Sequence, residues 1–158
     1  MEPEQNPGAA GLQAAKERRI SLRAAMSALE RSMAAPAYGR SSEWVSGVRV
    51  SVMDLQQCMR AHVEATEGPA GFHREILTAA PRLSHSVEIS VREHVVIGKL
   101  LDQLVTVLDS PNGVAQPDEL IEELRDTGTR LLGLLIRHRQ RGADMIFEAY
   151  EAELGGEN

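Results

Sequence analysis

The sequence predicts an all-α protein with a single hydrophobic core. Its 158 residues are enough for one domain, and no linker-like segment divides them. Only 3% of the residues are aromatic, and this composition favours packed helices over sheets. Apolar residues recur at intervals of three and four along four long segments. We therefore predict an antiparallel, up-and-down four-helix bundle over residues 11–156, preceded by a disordered tail at residues 1–10.

The first two predicted helices are amphipathic and are separated by a short connection. The first runs from about Leu12 to Ala34, and its apolar stripe consists of Leu22, Met26, Leu29 and Met33. Pro36 and Gly39 mark the connection. The second helix runs from about Ser42 to Glu67, and its stripe consists of Val48, Val52, Leu55, Met59 and His62. The second stripe therefore ends in an inward histidine.

The next two helices each carry an inward histidine as well. Residues 68–71 end the second helix, residues 72–77 are predicted to form one extra helical turn, and Pro81 is expected to start the third helix. The stripe of the third helix consists of Val87, Val91, His94, Ile97, Leu101, Leu104 and Leu108. The last helix follows a turn-rich segment and ends before Gly155 and Gly156. Its stripe includes Leu131, Leu135, His138 and Met145.

His62, His94 and His138 are therefore candidate ligands from three different helices. Burying an imidazole without a partner costs on the order of 2 kcal/mol, so something must bind each ring. One interpretation is a divalent metal ion in the bundle core, because neutral imidazole nitrogens suit such ions. The other is three packed rings, each bonded to a nearby side chain or carbonyl. The two remaining histidines, His73 and His85, are predicted to be solvated.

With these residues in place, the sequence resembles the hemerythrin-like (HHE cation-binding) family. It is similar to bacterial members that end in a segment like HRQRGADMIFEAYEAELGG, and the resemblance covers about residues 22–156. The resemblance implies a bundle that holds non-haem iron and serves in binding, sensing or handling oxygen, nitric oxide or iron. It also implies that the metal ligands are His62, His94, His138, Glu67 and Asp144.

The ligand pattern departs from that of the family on every helix. The first-helix histidine is absent, and Ser90 replaces one histidine of the third helix. Where the family has an acid four residues after the second-helix histidine, this chain has Thr66, and Glu67 follows. The last-helix acid is likewise displaced by one position, to Asp144. The resemblance therefore implies a reduced or vestigial site, mononuclear rather than di-iron.

In ideal helices, neither acid shares a face with the histidine on its own helix. Glu67 lies about 140° around the helix from His62, and Asp144 lies about 120° from His138. A π-bulge at Gly142 is one way to turn Asp144 inward. Glu88 and Glu148 are alternative inner acids, although exposed ion pairs are the expected role of both.

Composition and motifs limit the other functions. The net charge of −6 argues against a broad nucleic-acid surface, and no apolar run approaches the roughly 20 residues of a membrane span. The single cysteine, Cys58, and a start without a signal-peptide pattern predict a cytoplasmic protein. Catalysis by side chains alone is not predicted, because neither Cys58 nor Ser90 has a recognisable activating base.

Two alternatives to a metal-binding protein remain. The first is a metal-free bundle that acts through its surface, by forming a homodimer or by binding a protein partner. The second is a site for phosphate or an acidic partner. This site would be formed by basic residues around His138 and near the start of the first helix: Arg137, Arg139, Arg141, Arg18, Arg19 and Arg23.

Overall fold

The all-α prediction is confirmed by the structure, a computed structural model. It describes residues 7–110 and 116–154, with side chains for residues 15–110 and 116–151. Over these ranges the chain forms helices and connections without any strand. The α-helices are α1 (Pro7–Ala34), α2 (Ser41–Glu67), α3 (Phe72–Ala79), α4 (Ser84–Leu108) and α5 (Pro117–Leu154).

The four long helices pack as a bundle, and the predicted apolar stripes form its core. The main contacts join α1 to α2 and α4 to α5, and further contacts join α2 to α4 and α1 to α5. The core side chains that are fully buried include Leu29, Val48, Val52, Leu55, Ile97, Leu104, Leu124, Leu131 and Leu135. Helical periodicity placed each of these residues on one face, so burying that face stabilises both the helix and the bundle.

A second, smaller apolar cluster lies where α3 packs against the bundle. It consists of Ile76, Ala80, Leu83, Val87, Met145 and Ala149. On α4, His94 lies between Val87 of this cluster and Ile97 of the main core. On α5, His138 likewise lies between Leu135 and Met145. The histidines therefore occupy a polar layer between two apolar regions.

Several predicted boundaries differ from those in the structure. Residues 7–10 belong to α1 rather than to a tail, and residues 1–6 lie outside the described residues. The extra turn extends to a helix of two turns, and residues Pro81–Leu83 form a 3-10 turn before α4. The predicted stop at residues 155–156 and most of the connection before α5 also lie outside the described residues.

Close packing of α1 against α5 depends on a glycine. A Cβ atom added at Gly128 of α5 would lie 2.1 Å from Sδ of the buried Met33 of α1. Arg125 of α5 holds the same end of α1, because its Nε donates to the carbonyl of Met33 at 3.0 Å. No described helix is both long enough and apolar enough to cross a bilayer.

Candidate metal centre

Three helices bring the three predicted histidines to one level of the bundle. Nε2 of His138 on α5 lies 3.0 Å from Nε2 of His62 on α2 and 3.1 Å from Nε2 of His94 on α4. The metal-ligating atoms of the three rings all lie within 4.8 Å of one another. His94 and His138 are buried, and His62 is partly buried. Helical periodicity predicts that these three residues face inward, but it does not determine their relative heights along the bundle.

The ring geometry suits a shared ion. The planes of His62 and His94 are nearly perpendicular, at 89°, and those of His62 and His138 meet at 86°. Two nitrogens bonded to one ion at about 2.0–2.1 Å, with angles of about 90–110°, lie about 2.8–3.4 Å apart. The two Nε2 separations measured from His138 fall within this range. The distances from Nε2 of His138 to the other two Nε2 atoms therefore suit ligands of a single metal ion.

A carboxylate stands behind each of the two buried rings. Nδ1 of His138 donates to Oε2 of Glu93 at 2.8 Å, and the other oxygen of Glu93 accepts from Nε of Arg141 at 3.1 Å. Nδ1 of His94 donates in the same way to Oε1 of Glu67. Metal-binding histidines usually donate their distant N–H to such a group, which fixes the tautomer and the orientation of the ring.

Because the carboxylates bind the outer nitrogens, the Nε2 atoms at the centre carry too few hydrogens to form hydrogen bonds with one another. Because Nδ1 of His94 and of His138 carries the hydrogen, Nε2 of each neutral ring carries a lone pair. Two lone pairs therefore face each other across 3.1 Å. His62 can donate one hydrogen to His138, yet no donor among the described residues then reaches Nε2 of His94. A cation shared by the three nitrogens removes this conflict.

A proton bound to His62 or His94 is a poor candidate for that cation. The pKa of His62 is lowered to about 3, first by burial and then by four positively charged or ionisable neighbours: His138, His94, His73 and Arg18. Burial and the neighbouring histidines also lower the pKa of His94 to about 3, although a nearby carboxylate opposes the shift. Near neutral pH these imidazoles are therefore uncharged, the form that binds a metal.

The two predicted acidic ligands have different positions. Glu67 does not face His62 on its own helix, but it crosses to α4 and binds His94 from behind. Asp144 is exposed, and it accepts a hydrogen bond from Nε2 of Gln140 at 2.9 Å. α5 remains a regular α-helix through Gly142, so no bulge turns Asp144 inward. The structure thus brings Glu67 to the periphery of the centre and leaves Asp144 outside it.

The other polar residues considered for the site lie elsewhere. The hydroxyl of Thr66 donates to the carbonyl of His62, one turn earlier on α2, at 2.9 Å. Glu88 is exposed and lies 3.8 Å from Arg92 and 3.9 Å from His85, as expected for a surface ion pair. Glu148 is exposed as well.

His73 corrects one prediction, because it is buried rather than solvated. It is 7% exposed, and its ring stacks on that of His94 with centroids 5.8 Å apart and planes 8° from parallel. Its Nε2 lies 3.4 Å from Oγ of Ser90, and its Nδ1 has no hydrogen-bond partner among the described residues. Burial is the main cause that lowers its pKa. The prediction was wrong because it treated α3 as a connector rather than as a packed helix.

A glycine allows α3 to reach this position. Gly71 is buried between the end of α2 and the start of α3, and its amide donates to the carbonyl of Gly68 at 2.7 Å. A Cβ atom there would lie 2.4 Å from the carbonyl oxygen of Thr66, which is too close for any other residue. The tight reversal at Gly71 places His73 against α4 only six residues after Glu67.

Two residues of the centre, His73 and Glu93, were not predicted to belong to it, although each had a detectable signal in the sequence. His73, Ile76 and Ala80 follow a spacing of three and four and are all buried, which is the pattern of an amphipathic helix. Glu93 directly precedes His94, so it lies about 100° around α4, towards a neighbouring helix. Which helix it meets depends on the packing of α4 against α5, and no single-helix pattern contains that information.

A cavity of about 430 Å³ adjoins the three histidines. His62 and His138 form part of its wall, together with His73 and Ser90. Leu22 and Phe72 belong to its apolar lining. The centre therefore has a face that small molecules can reach.

Comparisons of this chain with protein-family models, with curated proteins and with solved structures found no match. The fold and the site themselves define the class of protein: it is a helical bundle with a histidine cluster that could hold a metal ion. The resemblance to the hemerythrin-like family stays a prediction.

Proposed function

We propose that this protein binds one divalent transition-metal ion through Nε2 of His62, His94 and His138. The observation that carries the proposal is the pair of lone pairs on His94 and His138, which face each other at 3.1 Å while carboxylates hold the opposite nitrogens. Packed structural histidines would be expected to donate to one another or to nearby acceptors. Here the donors point away from the centre, as they do in metal sites.

The proposed site is mononuclear. The group of potential ligands among the described residues contains three imidazoles and no carboxylate, because Glu67 and Glu93 bind the outer nitrogens. A second ion would need bridging carboxylates within that group. This ligand set supports the reduced site that the hemerythrin-like resemblance implies, and it argues against an oxygen carrier with two irons.

The proposed role is the binding of a small molecule at the face of the ion that adjoins the cavity. Bound iron would supply reversible ligand binding or redox chemistry for oxygen or nitric oxide, as the resemblance implies. The chain itself would keep the imidazoles of His62 and His94 neutral through burial, orient the rings of His94 and His138 through Glu67 and Glu93, and limit access through the cavity wall. We also propose a cytoplasmic location, because the one cysteine, Cys58, is free.

Iron is the proposed ion, but an all-imidazole site also accepts zinc, cobalt, nickel and copper, and zinc generally binds more tightly than ferrous iron. The test must therefore measure metal content and identity together. The untagged protein, freed of metal with a chelator, is loaded anaerobically with ferrous iron or with zinc, and bound metal is measured by mass spectrometry. We expect about one ion per chain.

Two variants of α4 make the test specific. His94→Ala removes a buried ligand and should lose the ion, whereas His85→Ala removes a side chain that is 77% exposed and should retain it. Loss of metal in both variants would indicate nonspecific binding. A parent protein that takes up no ion would refute the proposal and favour the metal-free alternative, in which the bundle forms a homodimer or binds a protein partner.

A further inference from the structure

The cavity beside the histidines has a strongly positive lining. Three arginines contribute to it, Arg18 and Arg19 from α1 and Arg139 from α5. The one carboxylate among its lining residues in the described part of the chain is Glu75, which accepts a hydrogen bond from the Tyr150 hydroxyl at 3.2 Å. Three cations therefore share a single cavity with one carboxylate.

None of these three arginines is neutralised within the described residues. Other arginines of the bundle form ion pairs or hydrogen bonds, as Arg141 does with Glu93 and Arg49 does with Asp109. No such bond involves Arg18, Arg19 or Arg139 in the part of the chain that the structure describes. Guanidinium groups that line one cavity without a partner favour an anion, because carboxylates and phosphates fit their forked N–H groups.

The arginines reach the histidine centre. Arg18 is close enough that its charge adds to the burial that lowers the pKa of His62. Arg139 directly follows His138 and is partly buried, whereas Arg18 and Arg19 are exposed and form the solvent side of the cavity. An anion held by Arg18 and Arg139 would therefore lie beside the imidazoles rather than on a remote surface.

The rest of the lining is apolar, and this narrows the class of ligand. Leu22, Phe72, Met145 and Ile146 line the cavity, together with several alanines. A phosphate ion has no surface that such a wall could cover, so the wall would remain hydrated. A carboxylate with an apolar body would bury that wall and pair its charge with the arginines. The volume of about 430 Å³ lies within the usual range for small organic ligands.

We propose that this cavity binds a small organic carboxylate, whose carboxylate group contacts Arg18 and Arg139 and whose apolar body packs against Leu22 and Phe72. The contacts with the arginines require no metal. Only a direct contact between the carboxylate and an ion at the three histidines rests on the proposed function. The cavity would then select which molecule reaches the open face of the ion.

Isothermal titration calorimetry with benzoate, acetate and inorganic phosphate as probes tests this assignment. It is performed on the full chain in metal-free and zinc-loaded forms, with zinc content measured separately. We expect benzoate to bind more tightly than acetate or phosphate. We expect the affinity for benzoate to fall at least about tenfold in the double variant Arg18→Gln/Arg139→Gln, since each lost contact is a charge-assisted hydrogen bond.

The control is Arg23→Gln, which removes a positive charge from the exposed side of α1, outside the cavity lining. Equal benzoate binding in the parent and the double variant would overturn the proposal, and so would the absence of benzoate binding in both forms of the parent. Phosphate or acetate binding as tightly as benzoate would overturn the role of the apolar wall. A parent that binds benzoate but no zinc would refute the metal site alone, so the two proposals fail separately.

Discussion

Glu93→Gln offers a stringent test of how the centre is built. Glu93 is largely buried, and its carboxylate accepts from Nδ1 of His138 at 2.8 Å and from Nε of Arg141 at 3.1 Å. Glutamine has nearly the same shape and can still accept one hydrogen bond through its amide oxygen. The substitution therefore removes charge from the contact while it keeps the packing.

The expected loss follows from the hydrogen bond. A bond to a charged group contributes about 1.5–3 kcal/mol and one between neutral groups about 0.5–1.5 kcal/mol, so the difference is about 1–1.5 kcal/mol. A bound cation makes the ring N–H of His138 more acidic, so most of this loss falls on the metal-bound state. We therefore expect zinc to bind about tenfold more weakly to Glu93→Gln than to the parent.

Competition with a chromophoric zinc chelator at pH 7.5 measures this change. Glu88→Gln is the matched control, because it removes the same charge from an exposed position of α4. Circular dichroism establishes that both variants are folded. Equal zinc affinity in the parent and in folded Glu93→Gln would refute the role assigned to Glu93, and so would an equal loss in Glu88→Gln.

Two further predictions concern stability. In the metal-free protein, the pKa values of His62 and His94 are near 3 when folded and about 6.5 when unfolded, so the unfolded chain binds more protons within this window. The free energy of unfolding should therefore be highest above pH 6.5 and should fall as the pH decreases towards 3. At pH 5 the loss should be roughly 2 kcal/mol per histidine. Urea titrations at several pH values measure this change, and a His94→Gln variant with the same pH dependence as the parent would contradict the prediction. In the second case, Gly128→Ala should lower the midpoint of thermal unfolding by the equivalent of about 1 kcal/mol, because the new Cβ displaces Met33. The control is Gly133→Ala, because an added Cβ atom there would lie no closer than 3.6 Å to another group. Gly133→Ala should raise the midpoint of thermal unfolding, since alanine has a higher helix propensity than glycine. A higher midpoint in both variants would show that α1 and α5 tolerate the extra methyl group at Gly128.

The direction of a side chain could be predicted from the sequence where it depends on the geometry of a single helix. The stripes that include Leu29, Leu55 and Leu104 could be predicted because helical periodicity alone places them on a buried face. The inward direction of His94 follows from the same rule. Its partner Glu67 does not, because their contact depends on the relative height of α2 and α4, which shifts by about 1.5 Å for each residue.

Two residues were placed wrongly by the sequence-based predictions. Asp144 was expected at the centre on the basis of a family pattern, but the regular geometry of α5 leaves it exposed beside Gln140. His73 was expected in solvent, but the tight reversal at Gly71 folds α3 against the bundle. The position of His73 depends on backbone geometry that a short stretch of sequence does not determine, whereas ideal helix geometry alone places Asp144 about 120° around α5 from His138.

The described part of α1 contributes no candidate ligand, and this affects how evenly a bound metal ion would stabilise the four long helices. An ion shared by His62, His94 and His138 would cross-link α2, α4 and α5, closing a loop of 76 residues between the first and the last of these side chains. Binding that favours the folded state adds about 2.7 kcal/mol of stability when free metal exceeds the dissociation constant a hundredfold. That gain would protect three helices directly and α1 only through its packing. Amide hydrogens of α1 should then exchange faster than those of α4 once metal is bound, which makes α1 the helix best able to open the cavity.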